Sequence, residues 1–254
     1  MITESFDDKS EAIIIPEAFY GASLDVCDVA IATFSREIYS EVLQSYPNEQ
    51  IAEIRMANRI RPVYLLKVED MKIAFYLSEI GATLAATDVI DVCWITGARS
   101  VIMFGSAGAL DDEQTNGKYV IPTAAYRDEG MSYHYAPASD YIDIKNAEYL
   151  EHYFSNHDFP YVKGKIWTTD AIYRETRGMM QIRKEEGCLA VEMEIAGVQA
   201  VCDYYGFELY TFIVTGDVVD QTDYTPEGLH TANHSTDKFD IALMIATKLL
   251  DSGE

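Results

Sequence analysis

Positive charge is scarce in this chain of 254 residues: 19 lysines and arginines stand against 42 aspartates and glutamates, a formal net charge of −23 at pH 7. So acidic a surface repels the phosphate backbone of nucleic acid and the anionic face of a membrane, and neither is an expected partner. A phosphate-bearing substrate stays within reach if a few arginines or a helix N-terminus make a local positive spot. Cysteine is scarce as well. Cys27, Cys93, Cys188 and Cys202 form no CxxC pair, and a chain of this length needs no disulfide staples, so they are expected as reduced core residues. No uncharged apolar run approaches the roughly 18 residues of a membrane span. The first residues lack the basic stretch and apolar core of a signal peptide, and internal repeats, low-complexity tracts and Pro/Gly/Ser-rich linkers are missing too. The expectation is a soluble, cytoplasmic protein folded as one domain over residues 1–254.

What is present is the material of a globular core, with 48% hydrophobic and 24% charged residues. Short β-branched or aromatic runs at 26–33, 63–68, 72–77, 100–104, 119–122 and 209–215 are strand candidates. Helix patterns lie between and after them at 35–46, 82–96, 146–157, 192–205 and 235–250. In the last of these, Phe239, Ala242, Leu243, Ala246, Leu249 and Leu250 share one face. Gly206 supplies a C-terminal stop for the helix before it. This alternation predicts an α/β fold with a central twisted mixed sheet flanked by helices. The polar, tyrosine-rich stretch 127–143 is expected as an excursion from the core. Ligands of such folds sit beyond the C-terminal ends of strands, which is where chemistry should be sought.

Three motifs end such strands. GSAGAL at 105–110 follows an apolar run; its glycines either make a tight turn or bring exposed amides and the Ser106 hydroxyl close to an anion. It matches neither a dinucleotide fingerprint nor a P-loop. VEME at 191–194 sets Glu192 and Glu194 two residues apart at a strand-to-helix transition. They are either a solvated helix start favoured by the dipole or buried carboxylates accepting hydrogen bonds, for which sugar hydroxyls are suitable donors. GDVVDQ at 216–221 ends the most apolar strand candidate. Asp217 there is either a turn-shaping residue or a partly buried general acid or base. The five histidines show no metal spacing, and no metal or organic cofactor is expected.

In this order and at these separations, the three motifs resemble the nucleoside phosphorylase and nucleosidase superfamily over most of the chain, from about 28 to 250. The resemblance implies that Glu194 holds the ribose hydroxyls, with Met193 and Ile80 as sugar contacts. Val191 and Glu192 would lie near the base, and Asp217 would protonate N7 of a departing purine. The run from Asp217 through Gln221 is especially similar to that of methylthioadenosine nucleosidases. Thr169-Asp-Ala-Ile-Tyr173 resembles the base-stacking segment, with Ile172 in the usual aromatic place and Tyr173 beside it. The thirteenth residue after Asp217, where the bacterial purine enzymes carry an arginine that helps the aspartate, is His230; His234 is the next candidate.

The phosphate side departs most from the family. An early glycine-aspartate-proline-arginine motif is replaced by Ala32-Thr-Phe-Ser-Arg36, which keeps only Arg36. A second family arginine, contributed across a subunit boundary, matches Arg59, with Arg61 as competitor. A third falls on Met103, as is typical of the hydrolytic nucleosidases. Gly81, Gly105 and Ser106 would add donors. The reading is a purine nucleoside phosphorylase using inorganic phosphate as co-substrate and working as a homo-oligomer, a dimer or a hexamer built as a trimer of dimers. Its rivals are a nucleosidase using water and a nucleoside-binding protein without turnover. A uridine phosphorylase is disfavoured, because the glutamine such enzymes carry falls on Thr176.

Overall fold

The computed structural model describes residues 1–219, 224 and 226–251. Ten strands are found there: β1 (Val29–Thr33), β2 (Asn48–Met56), β3 (Arg59–Val68), β4 (Met71–Leu77), β5 (Ser100–Ala109), β6 (Tyr119–Asp128), β7 (Tyr141–Asp143), β8 (Tyr161–Thr169), β9 (Cys188–Glu192) and β10 (Glu208–Val218). The helices are α1 (Glu17–Tyr20), α2 (Arg36–Ser45), α3 (Ala82–Thr96), α4 (Asp112–Thr115), α5 (Ser132–Tyr135), α6 (Ala147–Asn156), α7 (Arg177–Glu185), α8 (Ile195–Tyr205), α9 (Leu229–His234) and α10 (Asp237–Asp251). The sheet runs β10-β6-β8-β9-β5-β1-β4-β3-β2, with β7 at the side of β6. Because β10 also pairs with β5, the strands β5, β9, β8, β6 and β10 close on themselves, while β1 to β4 extend as an open wing. The expected α/β fold with a mixed, helix-flanked sheet is what forms.

Both faces of the inner wing strands β1 and β4 are covered, which is why these two read as apolar runs rather than alternating ones. In β1, Val29 and Ile31 join a core beneath α2, α6 and α10, while Ala30 and Ala32 join the core beneath α3 and α8. Strand β4 repeats the division, with Ile73 and Phe75 on one side and Ala74 and Tyr76 on the other. Phe75 is fully buried between the rings of Tyr39 and Phe239; truncating such a phenylalanine to alanine costs about 3–5 kcal/mol. The four cysteines are free and buried.

Helix ends follow their sequence signals. Ser35 caps α2 by accepting the Ile38 amide at 3.1 Å, and the buried pair Ile38 and Val42 is spaced to face the sheet. Gly206 stops α8 in the left-handed conformation at φ 72°. Strands β2, β7, β8 and β9 carry weaker apolar patterns and extend the expected set. The 127–143 stretch contributes α5 and β7, tied to the core by the buried Arg127 guanidinium, which donates to Ser132 Oγ at 2.8 Å and to the Pro137 carbonyl at 2.6 Å. Among the described residues no helix is long and apolar enough to cross a membrane.

Candidate active site

A cavity of about 800 Å³ opens where the C-terminal ends of β1, β5, β9 and β10 meet. Its wall brings together Arg36, Ile80, Gly105, Ser106, Ile172, Tyr173, Val191, Glu192, Met193, Glu194 and Asp217. These come from six separate stretches of chain. Ile172 and Tyr173 stand at the mouth, 54% and 97% exposed.

The two carboxylates of VEME part ways at the strand-to-helix junction. Glu192, the last residue of β9, turns beneath the start of α8 and accepts the amides of Glu194 at 2.7 Å and Ile195 at 2.8 Å. The Thr168 hydroxyl donates to its other oxygen. Glu192 thus answers the unpaired amides of a helix N-terminus, and its oxygens are already occupied by protein donors. Glu194 instead reaches across to the β4–α3 junction, where the Gly81 amide donates to Oε1 at 2.7 Å and the Met193 amide to Oε2 at 3.3 Å. Gly81 itself takes φ 101°, a conformation that favours glycine. Burial raises the pKa of both carboxyls and the amide hydrogen bonds oppose it; for Glu192 the neighbouring Glu194 charge adds to the rise.

Asp217 is aimed by a bulge. The β10 ladder to β5 shifts register between Thr215 and Asp217, so the aspartate faces the cavity with 8% exposure. Gly216 lets α9 pack closely against the bulge, because a Cβ there would lie 2.7 Å from Ala232 Cβ. Tyr224 Oη donates to Asp217 Oδ2 at 2.8 Å. Glu175 lines the same end; burial, then the charge of Asp217, pushes its carboxyl up to about 7. Asp220 and Gln221 of the GDVVDQ motif lie outside the described residues.

The glycines of GSAGAL do not form a turn. The segment stays extended in β5 through Ala109, with Gly105 opposite Ile213 and Gly108 opposite both Asp217 and Val191. Close approach explains them: a Cβ on Gly108 would lie 2.5 Å from Val219 Cγ2 and 3.2 Å from Val191 Cγ1, and one on Gly105 would touch the Phe34 ring at 3.4 Å. The Ser106 hydroxyl is held by Asn233 Oδ1 of α9.

Among the expected residues, His230, Arg59 and Arg61 do not line the cavity, nor does Gly81, whose amide is taken by Glu194. His230 is 79% exposed at its side chain, with Nε2 3.7 Å from Glu37 Oε1; it does not line the cavity, because α9 turns it outward towards α2. His234 does line the cavity, and its Nδ1 is 2.7 Å from Ser35 Oγ. With Glu37 the two histidines place three ligand atoms within 4.8 Å of one another. Nitrogen and carboxylate donors suit a transition-metal cation. Their four-residue spacing in one helix points both rings to the same side of α9. Arg59 pairs with Glu79 at 2.6 Å on β3, outside the cavity of its own chain. Arg61 is buried, with Nη1 donating to Asp88 Oδ2 at 2.6 Å.

Sequence reasoning missed Glu175, Tyr224, Asn233 and Lys238 in the wall. Lys238 had a signal: it precedes Ala242 by four and Ile245 by seven residues, so a lysine stands on the buried stripe of α10.

Comparison with known proteins agrees with this architecture. A family model described as the phosphorylase superfamily matches residues 28–252. The DeoD-type purine nucleoside phosphorylase of Buchnera aphidicola is 26% identical over 161 residues, covering 59% of this chain and 68% of that protein. Its counterpart from an Exiguobacterium species is 22% identical over 172 residues, covering 66% and 73%. Among solved structures, the 5'-methylthioadenosine/S-adenosylhomocysteine nucleosidase of Helicobacter pylori aligns with TM-score 0.70 at 16% identity, covering 88% of this chain and 98% of that one. A futalosine hydrolase mutant from the same organism aligns at 0.67 and 17%, covering 85% and 97%. The two solved structures share the fold, the match to the family model spans nearly the whole chain, and on that match the protein belongs to the phosphorylase superfamily.

Proposed function

We propose that this protein cleaves the N-glycosidic bond of a purine nucleoside with inorganic phosphate, giving free base and ribose 1-phosphate. The observation that carries the reading is a single cavity lined at once by a buried carboxylate, Glu194, an inward-facing acid, Asp217, and an anion-receptive end with Arg36 and Ser106. Breaking the bond from C1' to the base builds positive charge on the ribose and sends an electron pair to the base. A proton delivered from Asp217 to N7 neutralises that pair, and phosphate oxygen closes the new bond at C1'. Glu194, fixed by the Gly81 amide, accepts hydrogen bonds from the ribose hydroxyls. Met193, Ile80 and Val191 supply apolar contacts, with Ile172 and Tyr173 over the base. With His230 turned away, Tyr224 is the partner that orients Asp217.

No organic cofactor enters this chemistry. A homo-oligomer, whether a dimer or a hexamer, would let Arg59 of one subunit reach the phosphate end of another, in keeping with its place outside its own cavity. The hydrolytic alternative is favoured by Met103, an uncharged wall residue at the phosphate end. Incubation with inosine, adenosine and uridine, with and without phosphate, separates the readings. Phosphorolysis yields ribose 1-phosphate from the purine nucleosides only when phosphate is present. Free ribose at an undiminished rate without phosphate would replace it by hydrolysis.

A further inference from the structure

Lys238 is a cation in an unusual place. It is 1% exposed, lines the cavity, and donates from Nζ to the carbonyl of Ala232 on α9. An ammonium has three donors, and no carboxylate among the described residues forms an ion pair with this one. Its position in the first turn of α10 sets it at the positive end of the helix dipole, where the charge of Asp237 opposes burial without forming an ion pair with it. A buried charge so situated is costly unless an anion joins it. Burial does push the Lys238 ammonium down to about 8. An anion bound between Lys238 and the helix start would relieve both penalties together.

The surroundings are built to hold such an anion. Met103 and Thr211 lie opposite one another in the β5–β10 ladder, and both line the same cavity as Lys238 without offering charge. Two ties brace α9 over this end: Asn233 to the Ser106 hydroxyl, and His234 to Ser35 at the cap of α2. The bond to Ala232 fixes the ammonium to that same helix.

We propose that Lys238 is the buried cation of the phosphate subsite, entering from α10 and holding inorganic phosphate together with Arg36, while the Ser106 hydroxyl exchanges its bond to Asn233 Oδ1 for the anion. The proposal deepens the phosphorolytic reading and rests on it. The C-terminal helix would thereby supply positive charge to a cavity whose β5 wall, with Met103 and Ser106, offers none.

Phosphate alone, titrated calorimetrically into wild type, Lys238→Met and the exposed-site control Lys118→Met, tests this directly. Lys238→Met is expected to weaken phosphate binding about 10-fold or more, the scale of one charged hydrogen bond, while Lys118→Met stays within about twofold of wild type. Inosine binding measured without phosphate should be unchanged in Lys238→Met, and its KM for phosphate should rise. Methionine suits the apolar stripe of α10, and Lys238→Gln removes the charge by a second route should the first variant not fold. Unchanged phosphate affinity in either folded variant, or no phosphate binding by wild type, would overturn the assignment. Inosine cleavage equally fast without phosphate would remove the phosphorolytic reading alone, since the titration still reads the anion site.

Discussion

The two ends of the cavity are made differently. At the sugar and acid end, short local stretches of backbone aim Glu194 and Asp217, and the Gly81 amide of the β4–α3 junction then fixes Glu194. Glu192 anchors the start of α8 two residues before Glu194 turns away, and the Gly216 bulge turns Asp217 inward one residue later. At the anion end, Ser35, Arg36, Ser106, Asn233 and Lys238 arrive from α2, β5, α9 and α10, separated by up to some two hundred residues of chain. Local backbone geometry builds one end and tertiary packing the other. A short motif can therefore specify the acid and the sugar clamp, whereas the anion end can be rebuilt from new positions as long as helices deliver charge to the same place.

The strongest attack on this comparison is at the acid. Asp217→Asn removes the proton donor while leaving the anion end intact. It should lower kcat on inosine and adenosine by about 10²-fold or more and leave phosphate affinity in the titration unchanged. Turnover close to wild type would mean that the proton comes from another wall residue, with Glu175 the first to examine.

At the sugar clamp the effect should be smaller. Glu194→Gln replaces a charged acceptor by a neutral one, and a hydrogen bond to a charged group contributes about 1.5–3 kcal/mol. That corresponds to a loss of roughly 10- to 100-fold in kcat/KM for ribonucleosides. Glu192→Gln should instead lower the melting temperature with little change in KM, since its carboxylate serves the helix start. If Glu192→Gln matched Glu194→Gln in its kinetic loss and kept its stability, both carboxylates would belong to the sugar site and the division at the strand end would fail.

How far these features could be read beforehand follows from the same contrast. The alternation of apolar runs with helix patterns carried the fold, because strands such as β1 and β4 are buried on both faces and accordingly apolar. Closure of β5, β9, β8, β6 and β10 was not legible: β8 and β9 are short or polar in pattern, and the pairing of β10 with β5 joins distant segments. The glycines of GSAGAL were visible as a motif but not in their cause. Some tight turns need glycine for positive φ, whereas Gly105 and Gly108 are needed because Phe34, Val191 and Val219 crowd an extended strand. His230 lay at the counted distance from Asp217, yet the turn of α9 directs it to Glu37. Such a rotation depends on how a six-residue helix docks, and spacing alone does not carry it. Gly108→Ala sharpens the point about crowding. The added methyl group meets Val219 and Val191, and overpacking of this kind costs about 1–3 kcal/mol, readable as a lowered midpoint in urea. Stability equal to wild type would return the glycine to a merely permissive role.

The last expected effect concerns the proton held beside Asp217. Glu175 is pushed up to about 7, first by burial and then by the charge of Asp217, whereas an unfolded glutamate titrates near 4.3. Between those two values the folded protein keeps a proton that the unfolded chain has released. By linkage the stability contribution of this group is full below about 4.3, declines as pH rises, and is lost once pH passes about 7. Glu175→Gln has no such proton to lose. Its melting temperature should exceed that of wild type at pH 8, and the gap should shrink steadily towards pH 5, where the wild-type carboxyl is neutral as well. Asp217→Asn, which removes the neighbouring charge, should narrow the pH 8 gap between Glu175 and its glutamine variant without abolishing it, because burial is the larger cause. A gap that is constant with pH would show that Glu175 is ionised throughout and that no proton is stored beside the acid. A gap that vanishes in the Asp217→Asn background would show that the charge of Asp217, and not burial, sets the carboxyl's behaviour at this end of the cavity.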